Sequence, residues 1–138
     1  SKPLGALVYL SQERTIAKPG TTRQDTSGTN YRPLGYQLDT QDRPTFQYQI
    51  HGQRISDTIR PRDGKGFDRT ITATGTGLVA QLAKGKSIEA ITPSSYLIDK
   101  LYYIEIPNTV KVQVNQTGDT QELTAVVSST PLTYSILF

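Results

Sequence analysis

Leu34-Gly35-Tyr36-Gln37-Leu38 and Phe46-Gln47-Tyr48-Gln49-Ile50 set apolar and polar residues in strict alternation. A period of two is the signature of a strand, because successive side chains leave opposite faces of the pleat. Leu34, Tyr36 and Leu38 therefore share one strand face. Phe46, Tyr48 and Ile50 share a face of the next, with Thr45, Gln47 and Gln49 turned to water. Between them, Thr40-Gln41-Asp42-Arg43-Pro44 has turn chemistry, and Pro44 has no N–H to give to a ladder. His51-Gly52 reads as a tight reversal into a third strand carrying Ile55 and Ile59. The stretch 34–60 is thus expected to form a three-stranded antiparallel meander.

The same period runs outward. Phe67, Arg69, Ile71 and Ala73 alternate with Asp68, Thr70 and Thr72, and Tyr102, Ile104 and Ile106 lead to Pro107-Asn108. Val110, Val112 and Val114 precede a turn at Asn115–Asp119, and Leu123, Ala125 and Val127 follow it. Leu132, Tyr134, Ile136 and Phe138 complete the pattern. Turn signals recur about every 8–12 residues, the spacing of a sandwich or barrel. The window 78–91 starts Leu-Val-Ala-Gln-Leu-Ala, which also fits a short helix, but Gly85 interrupts it and the reading is strand. Residues 17–33 read as a long loop. Nineteen Thr against four Glu and little Ala favour strands over a helical bundle. The fold class is all-β, an antiparallel β-sandwich with little or no helix, and residues 1–138 read as a single domain.

Composition removes several chemistries. With no cysteine there is no disulfide, thiolate nucleophile, cysteine zinc site or thioether-attached haem, and a single histidine leaves little room for His-based metal or acid–base schemes. No cofactor or metal is expected. No apolar run approaches the ~20 residues of a membrane-spanning helix, so no membrane insertion is expected. Ser1 and the absence of methionine fit a mature or excised segment. The net charge is +3, and 10 of the 15 Lys and Arg fall between Arg14 and Arg69. Asp25, Asp39, Asp42, Asp57, Asp63 and Asp68 are interleaved with them, unlike the uninterrupted basic stripe of a nucleic-acid binder.

Several motif matches fail on context. Ala80-Gln-Leu-Ala-Lys-Gly85-Lys86-Ser87 approximates a phosphate loop, but only five residues separate Ser87 from Pro93, too few for the helix that must follow. Gly75-Thr-Gly77-Leu-Val-Ala80, with Asp99 downstream, approximates a dinucleotide fingerprint but lacks room for a crossover helix. His51 with Asp57 and Ser56 would need a nucleophile elbow that is missing. Asp57, Asp63 and Asp68 do not have calcium-loop spacing. Asp39, Asp57, Glu89 and Glu105 are the carboxylates available for glycoside cleavage, a reaction decided by their separation in space. Asn115-Gln116-Thr117 is a formal glycosylation acceptor.

Eight Tyr without Trp bear on sugar binding, which uses exposed aromatic platforms beside polar groups. Tyr31 in the loop is the best surface candidate, with Arg32, Tyr36 and Asp39 as its neighbours. Core burial is the expectation for Tyr36 and Tyr48. Adjacent Tyr102 and Tyr103 must point to opposite faces.

The run from Tyr31 to Pro61, with its G-Y-x-L-D, its Asp42-Arg43-Pro44 turn and its Asp57-Thr-Ile-Arg-Pro61 ending, resembles a β-rich segment of large secreted bacterial proteins. Those proteins, from planctomycetes and Bacteroidetes, join sorbosone-dehydrogenase-like or other domains to a c-type cytochrome domain. Leu34 stands where the segment has an aromatic residue, and the haem-attachment sequence C-x-x-C-H is absent. The resemblance implies a noncatalytic accessory or assembly domain of a larger periplasmic or secreted protein, with other domains of the parent polypeptide or a protein partner as neighbours. It carries over no catalytic residue. A carbohydrate-binding module using Tyr31, Arg32, Tyr36 and Asp39 is the first alternative, and a hydrolase using Asp39 or Asp57 is the second.

Overall fold

A computed structural model describes residues 9–12 and 32–138. Twelve strands are described: β1 Tyr9–Gln12, β2 Arg32–Leu38, β3 Pro44–Ile50, β4 Gln53–Pro61, β5 Gly66–Ala73, β6 Leu78–Gly85, β7 Ile88–Thr92, β8 Ser95–Ile98, β9 Tyr102–Glu105, β10 Val112–Thr117, β11 Thr120–Val127 and β12 Leu132–Leu137. They form a four-stranded sheet, β1-β6-β11-β10, and an eight-stranded sheet, β2-β3-β4-β5-β12-β9-β8-β7. Every pairing is antiparallel. The chain is an all-β antiparallel sandwich.

The expected meander is β2-β3-β4 at one end of the large sheet. His51 and Gly52 both have positive φ, 52° and 78°, the two-residue hairpin loop whose twist matches the flanking strands. The window 78–91 is strand except at Lys86-Ser87, which joins β6 to β7. β6 is buried from Leu78 to Ala83 on both faces, which is why its apolar run is continuous rather than alternating. The turn after Val114 is shorter than the sequence implies: β10 and β11 extend to Thr117 and Thr120 around Gly118-Asp119. The expected loop at 17–33 falls outside the described residues except where β2 begins at Arg32.

Between the sheets lie Tyr48, Ile55, Ile71, Leu132 and Ile136 of the large sheet against Leu78, Leu82, Leu123 and Val127 of the small one. The opposite face of the large sheet explains part of the threonine surplus. Thr45, Thr58, Thr70 and Thr133 stand in one row across β3, β4, β5 and β12. Their hydroxyls pair at 2.9 Å (Thr45 to Thr58) and 3.0 Å (Thr70 to Thr133). Cross-strand Thr pairs of this kind stabilise a sheet without needing a hydrophobic cover.

Tyr102 and Tyr103 do take opposite faces, the first buried and the second exposed. Burial, with help from the nearby Asp99 charge and Tyr134, pushes the Tyr102 hydroxyl up to about 12. The unfolded tyrosine ionises near 10. The folded state therefore holds its proton more tightly, and this contribution is full below about pH 10 and lost as pH rises toward 12. Discounted for partial solvent screening of the hydroxyl, this is worth about 1–2 kcal/mol. Urea melts of wild type and Tyr102→Phe at about pH 9 and about pH 12 should show a smaller alkaline loss in the variant, by about that amount.

Candidate functional site

The small sheet is narrower than the large one. Strands lie ~4.8 Å apart, so four strands span about 14 Å where eight span about 34 Å. The inner face of β2 and the start of β3 therefore project past the cover. Leu34, Tyr36 and Leu38 are 40%, 62% and 52% exposed, and Phe46 is 46% exposed. This corrects the expectation that Tyr36 is buried and that the Leu34-Tyr36-Leu38 face belongs to the core. Tyr36 and Leu38 do share a face, in register with Phe46 and Pro44, but the slip between Pro33 and Gly35 interrupts the alternation at Leu34, and the face is bare. Tyr36 opposes Phe46 in register, with ring centroids 6.0 Å apart and planes tilted by 48°.

Among the described residues β2 is an edge strand, and it is built to resist extension by another strand. Pro33 has no N–H, the pairing slips between Pro33 and Gly35, and Gly35 has φ +108°. A proline and a bulge at an edge both discourage strand addition. What β2 offers is a side-chain face.

That apolar face meets a buried ionic cluster where the cover begins. Phe46 opposes Asp57, and Asp57 opposes Ile71, so the Asp57 carboxylate points between the sheets. Arg69 reaches it bidentately, Nε to Oδ1 at 2.9 Å and Nη2 to Oδ2 at 2.6 Å. The Tyr48 hydroxyl donates to Oδ2 at 2.8 Å, and Arg69 Nη1 donates to the Tyr134 hydroxyl at 3.0 Å. Burial alone would push the Arg69 guanidinium down. The Asp57 hydrogen bonds, aided by Tyr134, outweigh it and hold the cation firmly charged. Tyr134, buried beside it, is pushed up chiefly by desolvation.

Of the four site candidates, the side chains of Tyr36 and Asp39 are described. Tyr31 and the side chain of Arg32 lie outside the described residues. Tyr36 is on the bare face. Asp39 closes the β2–β3 turn: its carboxylate accepts from the amides of Gln41 and Arg43 at 2.8 and 3.0 Å and from Arg43 Nε at 2.9 Å, with Arg60 3.5 Å away. The Arg43 amide leads the causes that hold it below the usual carboxylate range. Asp39 is spent on its turn.

The failed motifs have physical explanations. Lys86 and Ser87 do present amide N–H groups as a phosphate loop would, but the Asp99 carboxylate accepts both, at 2.8 and 2.9 Å. Gly85 is small because that carboxylate lies where its Cβ would be. No helix follows Gly75-Thr-Gly77; β6 starts at Leu78, inside the motif. Ser56 and Asp57 leave opposite faces of β4, and His51 sits in the hairpin turn, so no triad forms. Glu89 pairs with Lys100 at 2.8 Å. Among the described residues no group of three or more His, Cys, Asp or Glu could hold a metal ion, and no helix is long and apolar enough to cross a membrane.

Comparison with known proteins finds no matching family model, no matching relative and no matching solved structure. The site is read from its own geometry. The signal for Leu34, Leu38 and Phe46 as surface residues was present in the chain: Pro33 and Gly35 inside one short strand mark an edge.

Proposed function

We propose that this chain is a noncatalytic accessory module of a larger secreted or periplasmic protein, and that it docks an adjoining part of that polypeptide on the β2–β3 overhang. The observation that carries this reading is the bare quartet Leu34, Tyr36, Leu38 and Phe46. Tyr36, Leu38 and Phe46 continue the inner face of the large sheet, with Leu34 beside them at the bulge, so the occupant extends the sandwich core sideways. Proline and bulge on β2 turn away a strand seeking ladder bonds, which favours a folded neighbour with an apolar surface over an extended peptide. The resemblance of Tyr31–Pro61 to a segment of multidomain redox proteins supports a neighbour on the same chain. Taking ~200 Å² for each aromatic and slightly less for leucine, the four exposures leave on the order of 350–400 Å² of apolar side chain. That is the size of the largest apolar patch on a typical monomer, which is often functional, and counted on both partners it reaches the more modest interfaces between domains of one chain. The test is whether β2 and the start of β3 are shielded in the native polypeptide and open in the isolated 138-residue chain. Concentration-dependent self-association of the isolated chain would replace the neighbouring domain with a second copy.

A further inference from the structure

The outer face of the large sheet carries a second feature, remote from the overhang. Strand register sets Asp68, Ser135, Glu105 and Ser95 in one row across β5, β12, β9 and β8. Three strand spacings make this row about 14 Å long. The row floors an open groove of about 460 Å³, within the range of ligand sites. Arg62, from the β4–β5 turn, walls one end, and Thr92 and Ser94, at the β7–β8 turn, wall the other. The second wall is pinned, since the Ile106 amide donates to the Ser94 carbonyl at 2.9 Å.

We infer that this groove binds an uncharged oligosaccharide. The groups are those that sugar hydroxyls need. Glu105 is exposed and has no hydrogen-bond or ion-pair partner among the described residues, leaving its carboxylate to accept from two vicinal hydroxyls. Asp68 is held in place by the Ser135 hydroxyl, which donates at 2.6 Å, and by Arg62 Nε at 3.5 Å. Arg62 keeps further N–H groups to donate. Tyr103, 41% exposed, leaves the same face of β9 two residues before Glu105, about 7 Å away along the strand. Its ring supplies an apolar surface for a sugar ring to lie against. Two carboxylates against one guanidinium leave these groups with one net negative charge, which turns away uronates and sulfated sugars although the whole chain is cationic.

The experiment is titration of the 138-residue chain, by calorimetry and amide chemical shifts, with cellotriose, maltotriose, chitotriose and tri-galacturonate. At least one of the three neutral trisaccharides should bind saturably below about 5 mM, with shifts centred on β9 and β12, and tri-galacturonate should not. Glu105→Gln and Tyr103→Ala, both exposed positions, should keep wild-type melting curves and weaken binding tenfold or more. Leu34→Ser on the overhang should leave it unchanged. Absence of binding by every neutral sugar, equal binding of tri-galacturonate, or wild-type affinity in both the Glu105 and the Tyr103 variant would overturn the inference. None of these results bears on the overhang.

Discussion

Asp57→Ala is expected to lower the unfolding free energy by about 3–5 kcal/mol, and Tm by about 10–20 °C, measured by calorimetry at neutral pH. The change removes the carboxylate to which the Arg69 guanidinium, 1% exposed, donates two hydrogen bonds. The same carboxylate accepts from the Tyr48 hydroxyl. Taking the counter-charge from a buried cation is far more costly than the pair was stabilising, because the pair had to be desolvated as well. The sign of a cycle follows. Asp57→Leu combined with Arg69→Met should cost less than the sum of the two single changes by at least about 2 kcal/mol, since the second change removes the cation whose counter-charge the first one takes away. Additive single effects, or an Asp57→Ala loss below about 1 kcal/mol, would mean that water reaches this cluster and that it does not tie β3, β4, β5 and β12 together.

Gly66→Ala should be comparably damaging, by about 3 kcal/mol or more. Gly66 opens β5 at φ +146°, a backbone conformation that side chains rarely adopt. A Cβ there would run into the backbone carbonyl of Ile136 on the neighbouring strand. Ladder backbone cannot swing aside as a flexible side chain can, so β5 and β12 would have to separate at this end of their pairing. Gly64→Ala is the matched control. Gly64 has φ +73° but nothing within 4 Å of the added methyl, so only the left-handed strain of about 1–2 kcal/mol remains. Urea unfolding of the two variants side by side checks the difference. Equal losses would show that the approach of β12 to Gly66 is looser than the structure has it.

Much of the fold was legible because a period of two needs no long-range information. Tyr48, Ile50, Ile55, Ile71, Ala73, Ile104 and Ile136 all lie on the apolar phase of their strands and are buried. Alternation states which residues share a face; whether that face is covered depends on how wide the opposite sheet is. Four strands over eight decided the fate of Leu34, Tyr36 and Leu38; Pro33 and Gly35 mark an edge, but they do not encode how far the opposite sheet reaches toward it. The ionic cluster was invisible for a related reason. Arg69 sat on the inward phase beside Phe67 and Ile71, but its partner Asp57 is 12 residues away and is selected by the β4–β5 register. Asp57 alone invited readings as a triad member, calcium ligand or glycosidase carboxylate that its pairing removes. The groove on the outer face was equally hidden, since Asp68, Ser135, Glu105 and Ser95 meet only through three separate strand pairings.

Both surfaces leave the same strand framework available for different work. The overhang is apolar, sits at a blunted edge and continues the core; the groove is polar and crosses the middle of the opposite face. A module that docks sideways on its parent polypeptide keeps its outer face free, so occupation of the first does not block the second.

The most direct test of the docking account is amide hydrogen exchange at residues 34–38 and 44–47, compared between the native polypeptide and the isolated 138-residue chain. The native species is expected to run well above 15.2 kDa and to exchange these amides at least tenfold more slowly, while the buried strand β6 exchanges alike in both. A native polypeptide near 15.2 kDa, or a larger one in which residues 34–38 and 44–47 exchange as fast as in the isolated chain, would contradict it.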